Sequence, residues 1–168
     1  MSLSSGHGTR ILEQVYRYAK DELDVFDVTV ESPSPGFQQM RNIYDSIQAY
    51  NARLFHDILP LDRSQELQGC TESDFQPELY DSKKQEEVRA ALRITKQQVS
   101  RVYDGLAYLA FQRNFEPIEK KFRLHVKRRL YQEDPELKDC SNKRELLQDM
   151  YSDELQWFEK VPRKVLQN

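Results

Sequence analysis

The side chains in this chain that could do chemistry are few and scattered. His7, His56 and His125 are the only histidines, and no two stand at a spacing that would bring them to one metal ion. Cys70 and Cys140 are the only cysteines, and both fall in expected loops. They read as two free thiols in a reducing compartment, with one disulfide as the alternative. Carboxylates come in pairs, Asp21-Glu22-Asp24 and Glu86-Glu87 among them, but acid–base work needs two carboxyls in a shared cleft with separated pKa values. These sit on polar faces among lysines and arginines. There is no glycine-rich phosphate loop, no nucleophile elbow and no histidine-paired cysteine. The residue types therefore point to no catalytic site, no cofactor and no metal.

Composition agrees with a helical protein that works through its surfaces. The 168 residues are 38% hydrophobic and 32% charged, with only five glycines against nine tyrosines and eight phenylalanines. That balance disfavours a turn-dense β sandwich. A formal charge of −3 excludes a globally basic nucleic-acid binder. The longest apolar run, Leu106 to Phe111, is far too short to cross a bilayer. Residues 1–20 lack a secretory apolar core; with Arg10, Arg17, Lys20 and a single acid, Glu13, they faintly suggest a mitochondrial targeting segment or a polar arm.

The elements that must position these residues follow from apolar spacing. A first helix is expected from Thr9, with Ile11, Leu12, Val15, Tyr16, Ala19 and Leu23 on one face. Val25 to Val30 reads as an extended connector that runs into Pro33-Ser34-Pro35-Gly36. Phe37, Met40, Ile43, Ile47, Tyr50, Leu54 and Ile58 predict a second helix that stops at Leu59-Pro60. A long loop over 60–80 follows. Ser82 and Gln85 then form a capping-box signature for a third helix, unbroken to Asn114 and about 48 Å long. Pro117 opens a fourth helix with Ile118, Phe122, Val126 and Leu130 inside, and Ser141 caps a fifth patterned by Leu147, Met150, Tyr151, Leu155 and Phe158. Val161-Pro162 closes the ordered part. The whole of 1–168 reads as one all-α domain of about five helices, an irregular or open bundle with one long central helix and extended loops.

Two stretches invite binding readings. Val88 to Asp104 looks like a helix-turn-helix of DNA-binding regulators, but Arg89 stands where a small residue is needed and Arg93 where a glycine is usual. One continuous helix explains the same residues better. On the fourth helix Lys120, Lys121, Arg123, Lys127 and Arg128 form a cationic face opposite the apolar stripe. It suits solvent, or else anionic lipid headgroups, an acidic protein surface or nucleic-acid phosphates.

A family likeness rests on Asp24 to Pro60. Pro35, Ala49, His56 and Leu59-Pro60 are spaced as in the small matrix-side accessory subunit of the mitochondrial cytochrome bc1 complex, the ubiquinol–cytochrome c reductase binding-protein family, which this stretch resembles. Asp74-Phe75-Gln76-Pro77-Glu78-Leu79 is similar to that family's Tyr-Leu-x-Pro-Tyr segment, and a charged helix follows from Lys83 to Arg89. The likeness covers residues 24–90; 93–168 have no counterpart, and Asp45, Ile47 and Gln48 replace basic positions. It implies a non-catalytic subunit of respiratory complex III in electron transport, peripheral on the matrix side of the mitochondrial inner membrane and held against cytochrome b and the large matrix-facing subunits. His56, Leu59, Pro60, Phe75 and Pro77 would then meet partner subunits. The other expectations are a cytoplasmic helical adaptor using the third-helix seam, and a DNA-binding regulator.

Overall fold

The computed structural model describes residues 6–63 and 69–167, and every regular element in it is helical. Seven α-helices follow in order: α1 His7–Asp21, α2 Pro35–Asn51, α3 Ser82–Leu92, α4 Lys96–Phe111, α5 Glu116–Glu133, α6 Lys143–Phe158 and α7 Val161–Val165. Among the described residues there is no strand, only one isolated parallel bridge between Val28 and Ile94. The all-α class is as expected, with two more helices than the expected five. Among the described residues no helix is long and apolar enough to cross a membrane.

α4 is the axle. Eleven of its sixteen residues are buried, so apolar side chains point in every direction and neighbours must surround it. α2, α3, α5, α6 and α7 all pack on it. Chain reversal into this helix corrects the expected single rod from Ser82 to Asn114. The rod breaks at Arg93, which takes a left-handed conformation (φ 54°, ψ 44°). Thr95 then starts α4 by accepting from the Gln98 amide at 3.2 Å. The turn drives Ile94 fully into the core and lays α3 beside α4. A continuous helix would have left Ile94 and the inner face of α3 without the core they now share.

α2 departs from expectation at both its end and its face. Ser34 caps it by accepting from the Phe37 amide at 3.2 Å, with Pro35 at the first turn. It stops at Asn51, not at Pro60, because Arg53 adopts a positive φ of 57° and turns the chain back. That reversal buries Phe55 against Tyr103, ring centres 5.7 Å apart, and buries Leu59. The expected apolar stripe, Phe37 to Tyr50, is only half-buried. Arg41, Asn42, Asp45, Ser46 and Ala49 face the core instead.

Short 3-10 turns at Leu61–Arg63, Glu72–Asp74 and Pro77–Leu79 organise what is described of the expected 60–80 loop; residues 64–68 lie outside the described residues. They seat Phe75 among Phe111, Phe122 and His125. α5 follows its sequence pattern, with Ile118, Phe122, Val126 and Leu130 all buried. α6 begins after Asn142, and Ser141 does not cap it. Pro162 begins a short helix where an end was expected, since a proline suits a first turn. α7 returns the C-terminal residues to α2 and α4.

Where α6 crosses α4, Gly105 is the contact point. A Cβ there would lie 2.7 and 2.9 Å from the Trp157 ring, so only glycine lets these helices approach. Gly105→Ala is expected to destabilise the fold by about 1–3 kcal/mol despite alanine's better helix propensity. Urea unfolding followed by circular dichroism measures it.

Candidate functional site

Two buried polar constructions hold this bundle, and the sequence marks neither. The first is a seam between α2 and α4. Gln98 donates to Asn42 at 3.1 Å and to Asp45 at 2.8 Å, while Gln38 donates to Gln98 at 3.0 Å and to Asn42 at 2.6 Å. Arg41 spans outward from the seam. Its Nε donates to the Tyr16 hydroxyl at 3.0 Å, its Nη2 to the Val28 carbonyl at 2.6 Å, and its guanidinium lies 3.5 Å from Asp45. Burial pushes the Asp45 carboxyl up to about 6, against the pull of Arg41 and the donors Gln98 and Tyr16. The Tyr16 hydroxyl is likewise raised, by burial first and by Asp45 second. At its solvent end the seam opens into a cavity of about 460 Å³, with Arg41, Gln98 and Arg101 on one side and Val30, Pro33 and Pro35 on the other.

The second is a charge network joining α4, α5 and α6. Asp104, fully buried on α4, meets the Arg129 Nε at 2.6 Å and the His125 Nε2 at 3.0 Å. Arg129 also donates to Glu133 at 3.1 Å and to Glu154 of α6, and Arg101 reaches Glu133 at 3.3 Å. Burial opposes ionisation of Asp104, but Arg129 and His125 together hold its carboxyl below the usual range. Glu154 shifts the other way, with burial outweighing Arg129. A histidine on a carboxylate resembles half of a proton-transfer site. Here the same carboxylate is shared with an arginine, so its charge is compensated within the core and the arrangement fixes helices.

The residues expected to meet partner subunits divide. Leu59 and Phe75 are buried in the core. His56 and Pro60 line a cavity of about 290 Å³ with Arg63, Asp74, Gln76 and Leu79, and Pro77 is half-buried beside them. His56 packs at a tilt against Tyr50 and faces Asp62 at 3.6 Å; burial and the neighbouring Arg53 lower its pKa. The cationic face of α5 is partly engaged within the fold. Arg123 pairs with Glu119 at 2.9 Å, and Lys127 donates to Gln148 at 2.6 Å over the Tyr151 ring. Lys120 and Arg128 are exposed and Lys121 is half-buried. Cys70 and Cys140 are free thiols, and burial raises the Cys70 thiol. Among the described residues no group of three or more His, Cys, Asp or Glu is arranged to hold a metal.

The turn between α3 and α4 also answers the objection raised against Arg89. Its buried guanidinium is paired with Asp27 at 2.7 Å and Glu86 at 2.5 Å, and the Phe26 ring covers it at 4.1 Å.

Comparison with known proteins overturns the respiratory reading. The chain is 29% identical over 125 residues to the histone acetyltransferase type B catalytic subunit of Homo sapiens, covering 74% of this chain and 26% of that protein. A protein of the same name from Dictyostelium discoideum is 29% identical over 135 residues, 76% of this chain and 26% of its own. Another from Pyricularia oryzae is 32% identical over 101 residues, 60% of this chain and 21% of its own. The chain spans about a quarter of the length of the curated relatives it matches. No family model and no solved structure matches it.

These relatives are named catalytic subunits of a histone-modifying enzyme. The likeness to the bc1 accessory family, the non-catalytic complex III role, the electron-transport assignment and the partners cytochrome b, matrix-facing subunits and lipid headgroups are all corrected by that finding. The adaptor and DNA-binding regulator readings gain nothing from it either. With the likeness goes the argument for the mitochondrial inner membrane. Physically, Pro35, Ala49 and Leu59-Pro60 report a helix start, a close packing point and a turn. Any buried helix needs such residues, so their spacing was weak evidence of kinship.

The two polar constructions have measurable signatures. Arg129→Met leaves Asp104, Glu133 and Glu154 without their shared cation and is expected to destabilise by about 3–5 kcal/mol in urea unfolding. Asp45 holds its proton more tightly when folded than as a free group, whose ordinary value is 3.8. Its contribution to stability is therefore full below that pH and is lost as pH rises through about 6. Asp45→Asn is expected to remove this slope, worth on the order of 2 kcal/mol, from a stability–pH series between pH 4 and 7. Asp104, shifted downward, acts oppositely, losing its contribution only as pH falls below the ordinary carboxylate range, so the two windows separate.

Proposed function

We propose that this chain is a helical part of a histone acetyltransferase and serves acetyl transfer by holding the histone substrate. The observation that carries the reading is the match of 74% of its residues to proteins named as catalytic subunits of that enzyme. Charge supports it. Histones are basic, and this chain carries 28 acids against 25 lysines and arginines. Structure supports it too: the internally compensated network of Asp104 and Arg129 and the α2–α4 seam make a stiff platform whose outer helix faces remain available. Residues 1–168 act as one helical unit on this reading, since α7 packs back on α2 and α4. Two free thiols suit a cytoplasmic place for it.

The test is calorimetric titration of purified core histones into the full chain at 0.05 and 0.15 M salt. Saturable binding, of micromolar Kd or tighter and weaker at the higher salt, is expected. No heat of binding at either salt would overturn the histone-holding role.

A further inference from the structure

Large apolar side chains are exposed at nine described positions, and six of them fall within residues 11–30: Ile11, Val15, Tyr18, Leu23, Phe26 and Val30. Ile11, Val15 and Tyr18 recur at i, i+4 and i+7, one stripe along α1, and are 65%, 45% and 58% exposed. Leu12 and Ala19, about a quarter turn round the helix, are buried, and Tyr16 packs against the core. α1 is therefore apolar on two faces and uses only one of them inside this fold. Between the outer stripe and the connector lies a groove of about 440 Å³ whose walls include Val15, Tyr18, Leu23, Val25 and Val28.

The connector is pinned with these side chains outward. Val28 donates to the Arg93 carbonyl at 2.8 Å, Arg41 donates to the Val28 carbonyl at 2.6 Å, and Arg93 donates to the Val25 carbonyl. Phe26, 78% exposed, rests one ring face on the Arg89 guanidinium and presents its remaining surface to solvent. A connector so tied cannot fold its apolar side chains inward to hide them.

Charge decides the occupant. Residues 21–31 carry Asp21, Glu22, Asp24, Asp27 and Glu31 and no lysine or arginine. Asp27 is bonded to Arg89, while Asp21, Glu22, Asp24 and Glu31 are exposed. Across α1 stand Arg10, Arg17 and Lys20, with Arg17 paired with Glu13 at 3.6 Å, fewer cations than the acids of the rim. An anionic membrane or a nucleic acid would meet the acidic rim with like charge. A second copy of the same groove would set acids against acids. A positively charged segment with apolar anchors satisfies both the groove and its rim.

We propose that the groove between α1 and the connector 23–31 docks a basic segment of a histone that carries apolar anchor residues, an inference resting on the histone-holding role above. Two variants of the full chain test it by the same titration with core histones. Val15→Ser/Tyr18→Ser/Leu23→Ser removes the exposed apolar side chains of the groove, and Glu22→Gln/Asp24→Asn/Glu31→Gln removes rim charge. All six positions are exposed, and unchanged thermal melting verifies the fold. The first variant is expected to weaken binding about tenfold or more with its salt dependence kept. The second is expected to weaken binding and flatten the salt dependence. If both variants bind histones like the unaltered chain, the groove is not the site and the histone-holding role still stands. If the unaltered chain binds no histone, that role fails and takes this inference with it. A concentration-dependent dimer of the unaltered chain, abolished in the first variant, would assign the groove to self-association and overturn the proposal.

Discussion

The bond between Arg129 and Asp104 is the constraint on which the bundle turns. Asp104 lies on the helix that every other long core helix touches, and it is fully buried. A carboxylate in that position is tolerable only with a cation beside it. Arg129 supplies that cation from α5 and ties it to Glu154 on α6. The apolar contacts of Phe122, Phe158 and Trp157 give the region its burial. The ion network selects which faces meet, because its geometry is met in one helix arrangement.

The α2–α4 seam plays the same part on the other side of the axle. Gln38, Asn42, Asp45 and Gln98 exchange hydrogen bonds in a closed set. Sliding α2 by one turn would leave several of these groups buried and unpaired. An all-apolar α2 face would pack as tightly but would distinguish the correct register less sharply.

Those same features explain what could be read from the sequence. α5 was legible because Ile118, Phe122, Val126 and Leu130 line its inner face at helical spacing and Pro117 marks its start. The all-α class was legible for similar reasons. α2 misled because the residues it buries, Arg41, Asn42 and Asp45, are of types that read as a solvent face, while its apolar stripe is half in water. The α3–α4 break was hidden because Val88, Leu92, Thr95 and Val99 keep a helical spacing straight across the turn. Thr95 followed by Gln98 was the available signal, a capping-type pair inside a supposed rod. The charge network was not legible at all, since Asp104, Arg129 and Glu154 come together only after α4, α5 and α6 have packed. Function was the least legible, because short patterns that mark helix boundaries are not marks of descent.

Arg41 touches more of the molecule than its place on α2 suggests. One guanidinium holds Tyr16 of the first helix, the Val28 carbonyl of the connector and the Asp45 carboxylate. It is thus a tie rod between the two banks of the outer groove, anchored on a group that titrates near pH 6. Anything that wedges those banks apart must strain the rod and change how firmly Asp45 keeps its proton.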